Sequence, residues 1–172
     1  MSNPDTRVEN ADKFMENILF VTLYYDWAYH NIDSLNRKKI ENYIVNRAFA
    51  AGDSAFKRQA SWMRSGSKEN LKYNVSLILA GIAVADKHPE IAALNINRGI
   101  YCLKWALGAY DNKPEWQSDT TRGAESYFYW GLLFHTMESS LGTNLGLYRF
   151  PFWKNETLIM GINANTKGFY AN

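Results

Sequence analysis

Arg122 and Tyr129 are the pair of residues whose types and spacing point most directly to chemistry. Both lie in the stretch Thr120-Thr-Arg-Gly-Ala-Glu-Ser-Tyr-Phe-Tyr-Trp-Gly-Leu-Leu133. Residues seven apart on an α-helix fall within about 20° of each other. Arg122 and Tyr129 therefore share a face, with Glu125 between them on the same side. A guanidinium beside a phenol favours the phenolate and lowers a pKa that is otherwise about 10. A tyrosine tuned in this way takes a proton and returns it. The same spacing also fits a solvent-facing arginine at a helix start and a tyrosine packed in a core.

A second constellation is Lys68-Glu-Asn-Leu-Lys-Tyr-Asn74, where Asn70 and Asn74 share a helix face at i and i+4. An asparagine in a first helical turn serves as a cap, or as an amide that hydrogen-bonds a substrate carboxylate. Between Lys57 and Lys72 the charges are Lys57, Arg58, Arg64, Lys68 and Lys72 against Glu69, with Trp62 and Tyr73 interleaved. A basic, aromatic loop suits a polyanionic sugar chain; a solvated loop has the same composition. Single-stranded nucleic acid would also suit such a loop. The small net charge of +2 and the lack of a nucleic-acid fold signature argue against that partner and against a membrane surface. Asp26 and His30 stand at i and i+4, but two ligands do not make a metal site. His135 lies in an apolar run, as a core or cleft-wall histidine would. No phosphate loop, Cys/His zinc pattern or Gly-x-Ser-x-Gly elbow is present, so no metal and no cofactor are expected.

The elements that must position these residues read as helices almost throughout. A chain of 172 residues, 47% hydrophobic and 21% charged, holds one globular domain with a real core. Aromatics at 15% are abundant, and Tyr and Trp combine an apolar body with a polar handle, as sugar clefts require. Single Cys102 excludes an internal disulfide and falls in an apolar helical pattern. No apolar run reaches membrane-span length and no signal peptide is visible.

Phe14, Ile18, Val21, Tyr25 and Ala28 place a first helix over about 8–30. Asp33 or Ser34 caps a second that reaches about Phe56. Ser65-Gly-Ser67 is a loop. A third helix covers about 70–86, apolar all round in its second half and hence buried on most sides. His88-Pro89 opens a fourth to about Tyr110, with proline in the first turn. Asp111 to Pro114 is a turn, the fifth helix runs from Asp119 or Thr120 to about Gly142, and a short helix fits 153–160. The fold class is all-α, with short connections that make neighbours antiparallel helical hairpins in a single domain over 1–172.

Tyr25-Asp-Trp-Ala-Tyr29, the Asn70-bearing helix ending in Ile82-Ala-Val-Ala-Asp86, Ser139-Ser-Leu-Gly-Thr-Asn-Leu-Gly-Leu147 and Lys167-Gly-Phe-Tyr170 occur in an order and spacing that resembles the heparinase II/III-like and oligoalginate lyase family. The likeness spans about residue 20 to the end. It implies an α/α toroid of helical hairpins, here partial, followed in the family by β-sandwich domains that this sequence does not include. It implies β-elimination on a uronic-acid polysaccharide. In that reaction the uronate carboxylate is neutralised and the C5 proton is removed, with charge stabilised as it develops. Arg122-Gly123 followed by Tyr129 is similar to the Arg-Gly and tyrosine of the related alginate lyases. By this resemblance Asn70 and Arg122 neutralise the carboxylate and Tyr129 is base or acid. Trp62, Arg64, Tyr73, Trp116 and Tyr127 then contact the sugar. Two departures stand out: Leu71, not histidine, follows Asn70, and Trp116-Gln-Ser-Asp119 replaces the family's Trp-Pro-Glu-Gly-Pro.

The expected partners are an acidic polysaccharide or oligosaccharide and a protein chain over the open toroid. A longer lyase would be periplasmic or secreted, and a complete chain of this length cytoplasmic. The alternative is a non-catalytic helical module that binds a glycan or a protein, and a third reading is another helical domain with coincidental motifs. Convergence of Asn70, Arg122 and Tyr129 on one cleft separates the first two.

Overall fold

The computed structural model describes residues 4–111 and 120–149, with side chains for 11–108, 125–147 and 149. Helix α1 spans Pro4–Trp27 and is followed by a 3-10 turn at Tyr29–Asn31. Helices α2 (Ser34–Tyr43) and α3 (Ala50–Lys57) are joined without a break by a π-helical segment, Ile44–Phe49. A 3-10 turn at Ser61–Arg64 leads into α4 (Lys68–Val84). Helices α5 (Pro89–Asp111) and α6 (Thr120–Leu141) complete the bundle, with a last 3-10 turn at Leu147–Arg149. The described residues contain no strand and form an all-α structure. Residues 112–114 of the turn expected at Asp111 to Pro114, and the helix expected over 153–160, lie outside the described residues.

Local chemistry fixes the helix starts. Asp33 caps α2 by accepting the Asn36 backbone N–H at 2.9 Å, and Ser67 caps α4 by accepting that of Asn70. At the other end of α6, Gly142 takes a positive φ of 65° and its N–H closes on the Glu138 carbonyl at 3.1 Å, a left-handed stop that glycine adopts without steric cost.

Helix α4 is the centre of the fold. Thirteen of its 17 residues are buried, which is the outcome expected of a helix apolar all round. Its Leu71, Val75 and Leu79 join Leu103, Leu107, Tyr129, Trp130 and Leu133 of α5 and α6 in one core. Tyr73, Leu77, Ala80 and Val84 join Met15, Ile18, Ile44 and Phe49 in a second. Helix α5 runs back along α4, since Gly81 meets Ala92 and Ile96 whereas Gly99 meets Ile78 and the Asn74 carbonyl. Helix α1 runs parallel to α4: Asp12 and Glu16 reach Lys72, while Tyr25 and Asp26 share a cavity with Ile82 and Asp86. Phe20, Tyr24 and Trp27 remain exposed on α1, within an arc of about 60°. No helix among the described residues is long and apolar enough to cross a membrane.

The α4–α5 contact depends on two glycines. A Cβ built on Gly99 would lie 2.5 Å from Ile78 Cγ1 and 3.3 Å from the Asn74 carbonyl. Ile78 is β-branched and stiff, so the helices would have to separate. Gly131, on an exposed face of α6, has nothing within 4 Å. Gly99→Ala is therefore expected to cost about 1–3 kcal/mol. Gly131→Ala is expected to add up to about 1 kcal/mol through helix propensity. Urea unfolding midpoints of the two variants, measured side by side, check the opposite signs.

Candidate functional site: an aromatic pocket beside a buried lysine

Two cavities of similar size sit at opposite ends of α4. The first, about 510 Å³, is lined by Ala11, Ser61, Trp62, Ser65, Ser67, Glu69 and Tyr73. The second, about 500 Å³, includes Tyr25, Asp26, Tyr29, His30, Asp86 and Lys87. The tyrosines of the second are engaged. Tyr25 donates to Glu41 at 2.6 Å, and the Arg37 guanidinium covers the Tyr29 ring at 4.7 Å. Asp26 and His30 both line this cavity, but no cluster of three metal-ligating side chains exists among the described residues.

In the first cavity the wall is aromatic, with Trp62 part-buried and Tyr73 buried behind it. Trp62 and Tyr73 meet edge to face, with centroids 4.9 Å apart and planes at 80°. Trp62 rides on the 3-10 turn, and Tyr73 rises from the second turn of α4. The turn is held by Asn70. The Asn70 amide nitrogen donates to the carbonyls of Ser65 at 2.7 Å, Cys102 at 3.1 Å and Met63 at 3.2 Å. Its oxygen accepts from Asn74 Nδ2 at 2.8 Å. One side chain thus ties the residues on either side of Arg64 to α4 and to the middle of α5. The Ser65 hydroxyl donates to the Trp62 carbonyl at 3.0 Å and lies within hydrogen-bond distance, 2.9 Å, of the Ser67 hydroxyl, which tightens the same turn.

Beside the pocket a charged group is buried. Lys72 is 7% exposed, and its ammonium lies 2.5 Å from Glu16 Oε1 and 3.5 Å from Asp12 Oδ1. Asp12 Oδ1 also accepts the Tyr73 hydroxyl at 2.8 Å. Burial works against the charge on Lys72, but the Glu16 hydrogen bond and the negative charge available at Tyr129, Asp12 and Glu16 hold its pKa above the ordinary value. Burial pushes the Tyr73 phenol up, and the bond to Asp12 adds to that. Tyr129 is 6% exposed. Burial raises its pKa, Lys72 opposes, and Glu125, Glu16 and Asp12 reinforce the rise. That direction is opposite to the one expected from the Arg122 spacing, because removal from water outweighs the cation at hand.

The structure brings together Trp62 and Tyr73, and places Tyr129 near Lys72. Asn70 faces elsewhere. Positions 70 and 72 of a helix are about 200° apart; Asn70 points at α5 and the turn, whereas Lys72 points at α1. Asn70 is fully buried, and both of its N–H groups are already shared among three carbonyls. It is neither the cap, which is Ser67, nor a surface amide. Arg64 is exposed and stacks over Tyr101 of α5, 5.6 Å from its ring centre. Tyr127 packs partly buried against the α5–α6 core. Arg122 belongs to α6, but its side chain lies outside the described residues, as does the whole of Trp116.

Asp12, Glu16 and Glu69 were not singled out by spacing or type. The signal was present: two acids at i and i+4 on α1, and one lysine amid the apolar positions of α4. Comparison with protein-family models, with curated proteins and with solved structures finds no match.

Two outcomes are expected. Asn70→Ala leaves the Met63, Ser65 and Cys102 carbonyls short of a donor and is expected to cost about 3 kcal/mol or more, read as a lowered urea midpoint. Tyr25, Tyr73, Tyr129 and Lys72 all have raised folded pKa values. A raised value contributes stability that is complete below the unfolded pKa and is lost as pH rises through the folded one. Stability is therefore expected to decline above about pH 10. Tyrosinate absorbance and circular dichroism followed together should show a late group of tyrosines ionising only as helix is lost.

Proposed function

We propose that this chain is a helical saccharide-binding module whose site is the Trp62–Tyr73 pocket. The observation that carries the reading is an edge-to-face aromatic pair, Trp62 part-buried and Tyr73 buried behind it, lining a cavity of about 510 Å³ rimmed by hydroxyls and a carboxylate. Sugar rings stack their C–H faces on aromatic surfaces and spend their hydroxyls on short polar side chains. Ser61, Ser65, Ser67 and Glu69 supply the second kind of contact within the same pocket. The fold supports the reading too. Parallel α1 and α4, with α5 antiparallel to α4, is the order that helical hairpins take when stacked side by side, and we assign the chain to a partial α/α toroid on that basis. The exposed Phe20, Tyr24 and Trp27 on α1 suit a further protein surface over that side.

A second reading is favoured by one observation. Tyr129 lies close enough to the Lys72 ammonium for each to shift the other's ionisation, and a tyrosine beside a lysine is a proton-transfer pair. In this reading the chain is the helical part of a polysaccharide lyase acting by β-elimination on a uronic-acid polymer. Tyr129 is then the acid to the leaving oxygen, Arg122 meets the carboxylate, and Asn70 acts by holding the Trp62 turn in place.

One experiment addresses both. Calorimetric titration with neutral, amino and uronic-acid oligosaccharides should give saturable binding that Trp62→Ala weakens by about 1–3 kcal/mol. Absorbance of the unsaturated uronate product, followed in the same samples, should stay flat if the module only binds. A rise abolished by Tyr129→Phe would establish the lyase instead. No binding by any sugar would sink the saccharide reading.

A further inference from the structure

We infer that the Trp62–Tyr73 pocket selects a saccharide bearing a protonated amine, with Glu69 holding the ammonium; this rests on the pocket being a saccharide site. The sequence between Lys57 and Lys72 counts five cations against one acid, yet none of the five lines the pocket. Lys57 pairs with Asp53 at 2.7 Å. Arg58 turns back to the Ser54 carbonyl at 3.3 Å. Arg64 leaves for the Tyr101 ring. Lys72 is consumed by Glu16 and Asp12, and Lys68 is exposed on the first turn of α4.

Among the described side chains, what remains at the pocket is negative. Glu69 is part-buried in its wall and makes no hydrogen bond or ion pair with a described residue. Behind Tyr73, two carboxylates face one ammonium, which leaves one net negative charge, and Glu69 adds a second. The N-terminus of α4 contributes about half a positive charge, and Glu69, in its first turn, already sits against that charge. A uronate entering here would meet like charge in a partly desolvated pocket. An ammonium would meet the Glu69 carboxylate, which has no partner among the described residues, and the part-buried Trp62 ring, and cations are attracted to both. Ser61 also lines the pocket and stands beside the neutral groups of the sugar, while the Ser65 and Ser67 hydroxyls hold the turn and the α4 cap.

The test uses the whole chain and two probes: a glucosamine oligosaccharide and the same oligosaccharide fully N-acetylated. Affinities are measured by calorimetry at a pH low enough to keep the amine protonated. The expected result is about tenfold tighter binding of the amino form, with the ratio falling towards one in Glu69→Gln. Raised salt should erode the preference, as it does for any partly exposed ion pair. A ratio of one or less in the unaltered protein overturns the inference while leaving saccharide binding intact. A ratio that survives Glu69→Gln removes Glu69 from the role and also overturns it. Failure of both probes to bind overturns the inference together with the saccharide reading.

Discussion

The amide of Asn70 is the constraint on which the site depends. An irregular turn such as Ser61–Arg64 has few hydrogen bonds of its own, and its carbonyls must find donors as the turn is pressed against a core. Asn70 supplies them from the first turn of α4, and reaches Cys102 on α5 as well. Three elements are thereby fixed by one buried side chain. Trp62, carried by that turn, is held against Tyr73. Without the tie the indole would lose its fixed place, and a pocket of this shape would have no wall.

Helix α4 extends the same logic along its length. Being surrounded, it needs neighbours to satisfy the polar groups it presents, and among its described side chains Asn74 Oδ1 is left without a partner. Asn70 and Asn74 pair with each other and with backbone facing α5. Lys72 finds carboxylates on α1, and Ser76 bonds back to the Lys72 carbonyl at 2.8 Å. Burying a lysine is costly unless it is paired. Glu16 and Asp12 keep their own access to water, with side chains 45% and 31% exposed, so the network is anchored at a wet edge. That edge borders the aromatic pocket. The packing of the core and the electrostatics of the pocket are set by the same helix.

Much of this was legible in the sequence. The periodicity of α1, the cap at Asp33, proline at the start of α5 and the all-round apolar run of α4 give the helical architecture directly. The aromatic pair Trp62 and Tyr73 could be picked out by type. The facing of individual side chains could not, because it depends on which neighbour each helix face meets. Asn70 has the composition of a cap or a ligand, and only the arrival of the 59–65 turn makes it a tie. The basic count of the loop pointed to an anionic partner, yet Lys57 and Arg64 find partners away from the pocket and Lys72 is matched beside it by Glu16 and Asp12. Tyr129 is a surface acid–base group on a helical wheel drawn alone. Packing of α6 against α4 buries it and raises its pKa.

The measurement that tests the account most directly is the set of tryptophan indole N–H resonances. Six tryptophans give a small, resolvable spectrum, and Trp62→Phe assigns its signal. Adding a binding oligosaccharide is predicted to shift the Trp62 indole progressively and saturably, while that of buried Trp130 stays in place. A ligand that shifts other indoles and leaves Trp62 unmoved would contradict the assignment of the pocket as the site.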